Sequence, residues 1–147
     1  MTRYTFACPM RWSDMDAYGH VNNVRFLTYL EEARVEMFVA LHREQQARAA
    51  TGTSEDAALL EGGVLVARHE ITYKAPLVHR TAPVPIDVWV RTIGGASFEL
   101  GYSVHDDEGS TVYATATSTL VAYDFRSARP RRLLDYERAY LERYLEA

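Results

Sequence analysis

Apolar residues follow two periods along this chain. Phe26, Leu27, Leu30, Ala33, Met37 and Leu41 recur at spacings of three and four, which predicts a helix over residues 24–48. Phe26, Tyr29, Leu30, Val35, Phe38 and Val39 spread around it, so the rest of the chain should wrap it. Asn22 or Asn23 can cap its start, because an Asn side-chain carbonyl accepts from a free backbone N–H. From Val64 the period becomes two. Residues 64–73 are β-branched and aromatic, and Pro76 closes them. Val84, Ile86, Val88 and Val90 alternate with polar or aromatic neighbours, as do Phe98, Leu100, Tyr102 and Val104. Tyr113, Thr115, Thr117, Thr119, Val121 and Tyr123 form one face of a long strand. Val112, Ala114, Ala116 and Leu120 form the other, and its alanines would let a helix lie close.

The first dozen residues, rich in Tyr, Thr, Phe and Trp, predict an opening strand. Residues 14–23 read as a loop, and 51–63 as a connection with a single helical turn. Gly94-Gly95 and residues 106–109 read as hairpin turns. Residues 133–147 read as a short amphipathic helix. The predicted order is strand, long helix, four antiparallel strands, short helix, an α+β layer arrangement.

Composition narrows the function. At 147 residues the chain suits one domain over 1–147 with one core. A net charge of −4 argues against general nucleic-acid binding. Cys8 is the only cysteine, so no intrachain disulfide or cysteine metal cluster is expected. His42, His69, His79 and His105 are scattered without metal-ligand spacing. Neither a signal peptide nor a membrane span is expected, so the protein reads as cytoplasmic.

Ionisable chemistry concentrates before the long helix. Asp14, Asp16 and His20 fall within seven residues. A carboxylate can serve as base or nucleophile. The first N–H groups of a helix are unpaired and can stabilise an oxyanion. Gly19 allows a sharp turn. Such a loop can transfer acyl groups without Ser or Cys. The residues alone leave a second reading open, in which Asp16 and Asn22 only shape the turn and cap the helix.

Residues 11–23, RWSDMDAYGHVNN, resemble the opening motif of the 4-hydroxybenzoyl-CoA thioesterase family of hotdog proteins. The likeness continues through YLEEAR (29–34), ITYKAPL (71–77), IGGASF (93–98) and Tyr123-Asp124 before Arg129-Pro130. The resemblance implies a curved antiparallel sheet wrapped around one long central helix. It also implies a homodimer or homotetramer with sites shared between chains, and hydrolysis of coenzyme A or acyl-carrier-protein thioesters. No cofactor is implied, since coenzyme A arrives with the substrate. By this resemblance Asp16 is the catalytic carboxylate, attacking the thioester carbonyl or activating water. The backbone N–H of Asn23 polarises the carbonyl, and Gly19, His20, Val21 and Asn22 shape the turn, with His20 in support. Asp14 reads as structural.

Other candidates have plainer roles beside the chemical one. Glu31 and Glu32 on the long helix are a backup acid pair, although Glu31 can pair with Arg34 and Glu32 can face solvent. Arg126, Arg129, Arg131 and Arg132 could hold nucleotide phosphates or simply form a solvated loop, and Lys74 and Arg91 are further candidates. Ser97 reads as a residue lining a pocket, because no G-x-S-x-G surrounds it. Cys8 reads as a buried small hydrophobe. A non-catalytic acyl-CoA binder is the alternative from another class. An enoyl-CoA hydratase is disfavoured, because hotdog hydratases resemble Asp-x-Asn-x-x-His, whereas Asp16 and His20 are four apart and Tyr18 stands where that Asn would be.

Overall fold

The computed structural model describes residues 2–50 and 63–147. The elements are β1 (Tyr4–Cys8), a 3₁₀ turn (Trp12–Asp14), α1 (Asn23–Ala50), β2 (Val64–Tyr73), β3 (Val84–Ile93), β4 (Ser97–His105), β5 (Val112–Asp124), β6 (Arg129–Pro130) and α2 (Asp135–Glu142). The expected order holds. The connection predicted over 51–63 lies outside the described residues except for Gly63. The opening strand is shorter than expected, since Pro9 ends it and the chain turns at Trp12.

The strands pair antiparallel in the order β1-β3-β4-β5-β2, with the two-residue β6 beside β5. One sheet face carries Val84, Ile86, Val88, Val90, Phe98, Leu100, Tyr102, Val104, Leu120 and Ala122, all buried. Phe26, Leu30, Ala33, Met37 and Leu41 of α1 are buried in the same core. Each such large side chain contributes ~1.5–3 kcal/mol by leaving water, which is what holds α1 in the sheet's curve. On the outer face, Trp89 lies over Gly101. A Cβ there would sit 2.5 Å from the indole, so only glycine permits this packing.

The alanines of β5 do not bring α1 close to that strand, contrary to expectation. The helix backbone approaches β1 and β3 most closely instead. The inner face of β2 is therefore left open, with Val66 at 41% and Tyr73 at 44% exposure. β2 is also the last strand of the sheet. At the other end, α2 closes the core. The Tyr140 hydroxyl donates to the Met37 carbonyl at 2.7 Å, and the buried Glu137 carboxylate accepts from Arg131 at 2.8 and 3.1 Å and from the Leu134 N–H at 2.8 Å.

Candidate active site

The loop before α1 is held from below by Asp14. Its carboxylate is 1% exposed and accepts from the Tyr29 hydroxyl at 2.7 Å, the Arg11 guanidinium at 3.0 Å and the Arg11 N–H at 3.2 Å. Burial pushes this carboxyl upward, but the bonds from Tyr29 and Arg11 outweigh it and hold the group below the usual carboxylate range. The Asp14 carbonyl accepts the Asn22 N–H at 2.9 Å. Asp14 thus ties the 3₁₀ turn to the helix start, the structural role expected of it.

Above that anchor the chain folds into a tight turn. The Asp16 N–H donates to the His20 carbonyl at 2.8 Å, and the Gly19 N–H to the Asp16 carbonyl at 3.1 Å. Gly19 has φ +77°, a left-handed conformation that glycine adopts without strain. The Val21 N–H donates to the Leu77 carbonyl at 2.8 Å, and His20 bridges to Val78, so the segment after β2 fastens the loop from the side.

Asp16 is half-buried. Its Oδ1 accepts from the Tyr18 N–H at 2.8 Å and the His20 N–H at 3.3 Å. Oδ2 accepts no hydrogen bond among the described residues. One oxygen therefore sets the plane of the carboxylate and the other is available for chemistry. Between the two candidate caps, Asn22 takes the role. Its side-chain oxygen accepts the Val24 N–H at 2.9 Å. The Asn23 N–H, first of the helix, is left without a partner among the described residues. The Tyr73 hydroxyl donates to the Asn23 carbonyl at 2.7 Å, tying the helix start to β2.

Asp16, His20, Val21, Asn23, Phe26 and Tyr73 line one open cavity of about 360 Å³, together with Lys74, Ala75, Pro76 and Leu77. Lys74, a candidate for holding phosphates, thus lies beside the loop. Tyr73 and Leu77 were not singled out from the sequence, although they flank Lys74 in the motif ITYKAPL. Ser97, Arg126 and Arg129 are not brought to this cavity within the chain. Ser97 pairs with Val121 and Arg129 with Asp124, at the end of the sheet where β2 begins, whereas Tyr73 and the loop lie where β2 ends. Glu31 contacts Arg34 at 3.5 Å, and Glu32 is exposed, so neither joins Asp16. Cys8 is 2% exposed, and burial pushes its thiol up to about 12, the inert role expected of it. Arg131 is tied to Glu137 rather than directed at a ligand.

Residues 10–137 match the thioesterase-like superfamily. The chain belongs to this superfamily. It is a thioester hydrolase by that membership, and its fold is the hotdog fold. A predicted thioesterase from Bacillus stearothermophilus superimposes with a TM-score of 0.79 at 22% identity, over 99% of this chain and 98% of that one. A Pseudomonas aeruginosa protein assigned as a thioesterase is 31% identical, with a TM-score of 0.71 over 94% of this chain and 98% of that one. A Thermus thermophilus thioesterase solved with coenzyme A and zinc is 28% identical, with a TM-score of 0.72 over 95% and 92% of the two chains. No curated protein matches the chain. Among the described residues, no helix is long and apolar enough to cross a membrane.

Proposed function

We propose that the protein hydrolyses acyl-CoA thioesters at Asp16. The observation that carries this is the pairing, in one cavity, of a carboxylate oriented through Oδ1 with an unpartnered helix N–H at Asn23. A thioester carbonyl set against that N–H gains a donor for the charge that develops on its oxygen. The free Oδ2 then attacks the carbonyl carbon, forming an anhydride that water opens, or takes a proton from a water that attacks. Either route expels the coenzyme A thiolate and leaves the free acid. His20 supports by donating its backbone N–H to Asp16, and Gly19, Val21 and Asn22 shape the turn. Coenzyme A enters as part of the substrate, and no further cofactor is invoked. A thioester carried by acyl carrier protein presents the same carbonyl. The relative solved with coenzyme A supports this ligand. We place the activity in one domain over residues 1–147, acting in the cytoplasm.

The working form is proposed to be a homodimer, alone or within a tetramer. β2 ends the sheet with open backbone groups, and exposed apolar residues lie on it and around the loop: Leu65, Val66, Tyr73, Trp12, Tyr18 and Val78. Antiparallel pairing of β2 with its copy sets the start of one strand beside the end of the other. A second copy would then bring its Ser97, Arg126 and Arg129 toward the Asp16 cavity, where the two arginines could meet phosphates. This accounts for their distance from Asp16 within one chain.

Purified protein should release free thiol from at least one member of a broad acyl-CoA panel. Retained acyl-CoA binding with no thiol released from any thioester would favour a non-catalytic binder instead.

A further inference from the structure

A carboxylate and a helix N–H can act on one carbonyl only if the gap between them is fixed. Bonds within the loop and helix do not fix that gap against the sheet. The Asn22 carbonyl accepts the Arg25 N–H at 2.9 Å and the Phe26 N–H at 3.4 Å, and the Asn22 side chain accepts the Val24 N–H at 2.9 Å. These keep the first turn of α1 intact, but they run inside it. Asp14 likewise joins the loop to α1 itself, through Tyr29 and the Asn22 N–H.

The bonds that reach across come from the end of β2 and the segment after it. On the Asp16 side of the turn, the Leu77 carbonyl accepts the Val21 N–H at 2.8 Å. On the helix side, the Tyr73 hydroxyl donates to the Asn23 carbonyl at 2.7 Å, across 50 positions of chain. Residues 73–77 also wall the cavity that Asp16 and Asn23 share. Tyr73 has a firm seat. Its backbone pairs with Ala114, and the next two N–H groups, of Lys74 and Ala75, both donate to the Tyr113 carbonyl, at 2.8 and 3.2 Å. Its ring stands edge-on to that of Phe26, with centroids 5.4 Å apart and planes at 73°, and Phe26 is buried in the core. Burial raises the phenol above its ordinary value, so at neutral pH it keeps its proton and donates.

We propose that Tyr73 is a positioning residue for thioester hydrolysis, whose hydroxyl holds the Asn23 N–H where the oxygen of the reacting carbonyl comes to lie. This rests on the thioesterase reading above. Tyr73 does not touch the reacting atoms in this role. It spaces the start of α1 from the strand end, and so spaces the N–H from the Asp16 carboxylate. An oxyanion donor acts fully only when aimed at the place the charged oxygen will occupy. A helix start released from Tyr73 weakens that contact in the transition state and leaves ground-state binding of the substrate nearly as it was. Misplacement by about 1 Å is enough to slow a reaction. Loss of the hydroxyl therefore appears in kcat and not in KM.

The test compares two hydroxyl deletions in the whole protein. Tyr73→Phe keeps the ring against Phe26 and removes only the donor. Tyr140→Phe is the control, because it removes a tyrosine hydroxyl that donates to another α1 carbonyl, that of Met37, also at 2.7 Å. On the acyl-CoA that the native protein turns over best, Tyr73→Phe should lower kcat about three- to tenfold, the scale of one neutral hydrogen bond, and leave KM unchanged. Tyr140→Phe should lower the unfolding temperature and leave kcat unchanged. A second readout needs no turnover. The Asn23 amide proton is followed by NMR while a ketone analogue of acyl-CoA binds, in which a methylene replaces the sulfur and the carbonyl is kept. That proton should move downfield in the native protein and in Tyr140→Phe, and less far in Tyr73→Phe. Native kcat in Tyr73→Phe, an equal fall in both variants, or a fall accompanied by lower mass in light scattering overturns the proposal. So does an Asn23 shift that is absent from the native protein or equal in all three. A Tyr73-dependent shift with no thiol released from any thioester sinks the hydrolase reading alone, and thiol release that Tyr73→Phe leaves untouched sinks this inference alone.

Discussion

Removing the Tyr29 hydroxyl isolates what holds the catalytic loop in place. Tyr29→Phe leaves a ring that is 3% exposed in its packing and deletes only the donor 2.7 Å from Asp14. A hydrogen bond to a charged group is worth ~1.5–3 kcal/mol, and Asp14 is almost wholly buried, so the expected loss at pH 7 is about 2 kcal/mol. The loss should depend on pH with a definite sign. The folded Asp14 carboxyl is held below its ordinary value, with Tyr29 one of the causes. Its contribution is therefore fully present above the unfolded value of about 3.9 and fades as pH falls through the folded value. Urea unfolding of both proteins from pH 7 down to about pH 3 measures this. The difference should hold from neutral pH to about pH 5 and then shrink. A difference below ~0.5 kcal/mol at pH 7, or one that stays constant into acid, would refute the anchoring role of this bond.

Other substitutions probe the turn, the edge and the route. Gly19→Ala should cost ~1–2 kcal/mol in stability and lower kcat, because the left-handed backbone strains any side chain even though its Cβ would meet nothing within 4 Å. Unchanged thermal unfolding would contradict that. Lysines at both Leu65 and Val66, on the open edge of β2, should reduce the mass seen by light scattering and lower thiol release in parallel. Retained mass would place the interface elsewhere. A single turnover in ¹⁸O-water tests for direct attack. Label found in Asp16 itself requires an anhydride that water opens at the aspartyl carbonyl, and an acyl group trapped on Asp16 by rapid quench shows the same route when the label leaves with the acid.

Much of this architecture was legible because each strand's own alternation names its buried face. Val84, Ile86, Val88 and Val90 could be assigned inward from spacing alone, and all four are buried. Alternation says nothing of a strand's neighbours. β2 reads as an ordinary strand, yet it ends the sheet with its inner face open, because α1 leans toward β1 and β3. The same gap affects the candidate site. Asp16, Asn23 and Lys74 could be singled out from the ionisable loop and from the family resemblance of RWSDMDAYGHVNN and ITYKAPL, and the structure sets them around one cavity. Ser97, Arg126 and Arg129 were grouped with them, but distance along a sheet depends on which end a hairpin occupies, and no local pattern reports it. Arg34 illustrates the opposite failure. At helical spacing from Glu31 it resembles any solvated ion pair, and only the structure shows that it is buried between helix and sheet.

The claim that one carboxylate performs the chemistry is tested most directly by Asp16→Asn, assayed for thiol release on the acyl-CoA that the native protein turns over best. The amide keeps the shape of the turn and can still accept the Tyr18 N–H, so folding should be preserved and acyl-CoA binding should change little. The rate should fall by about a hundredfold or more, as expected for loss of a nucleophile or general base. An Asp16→Asn variant that binds acyl-CoA normally and releases thiol at the native rate would contradict the account.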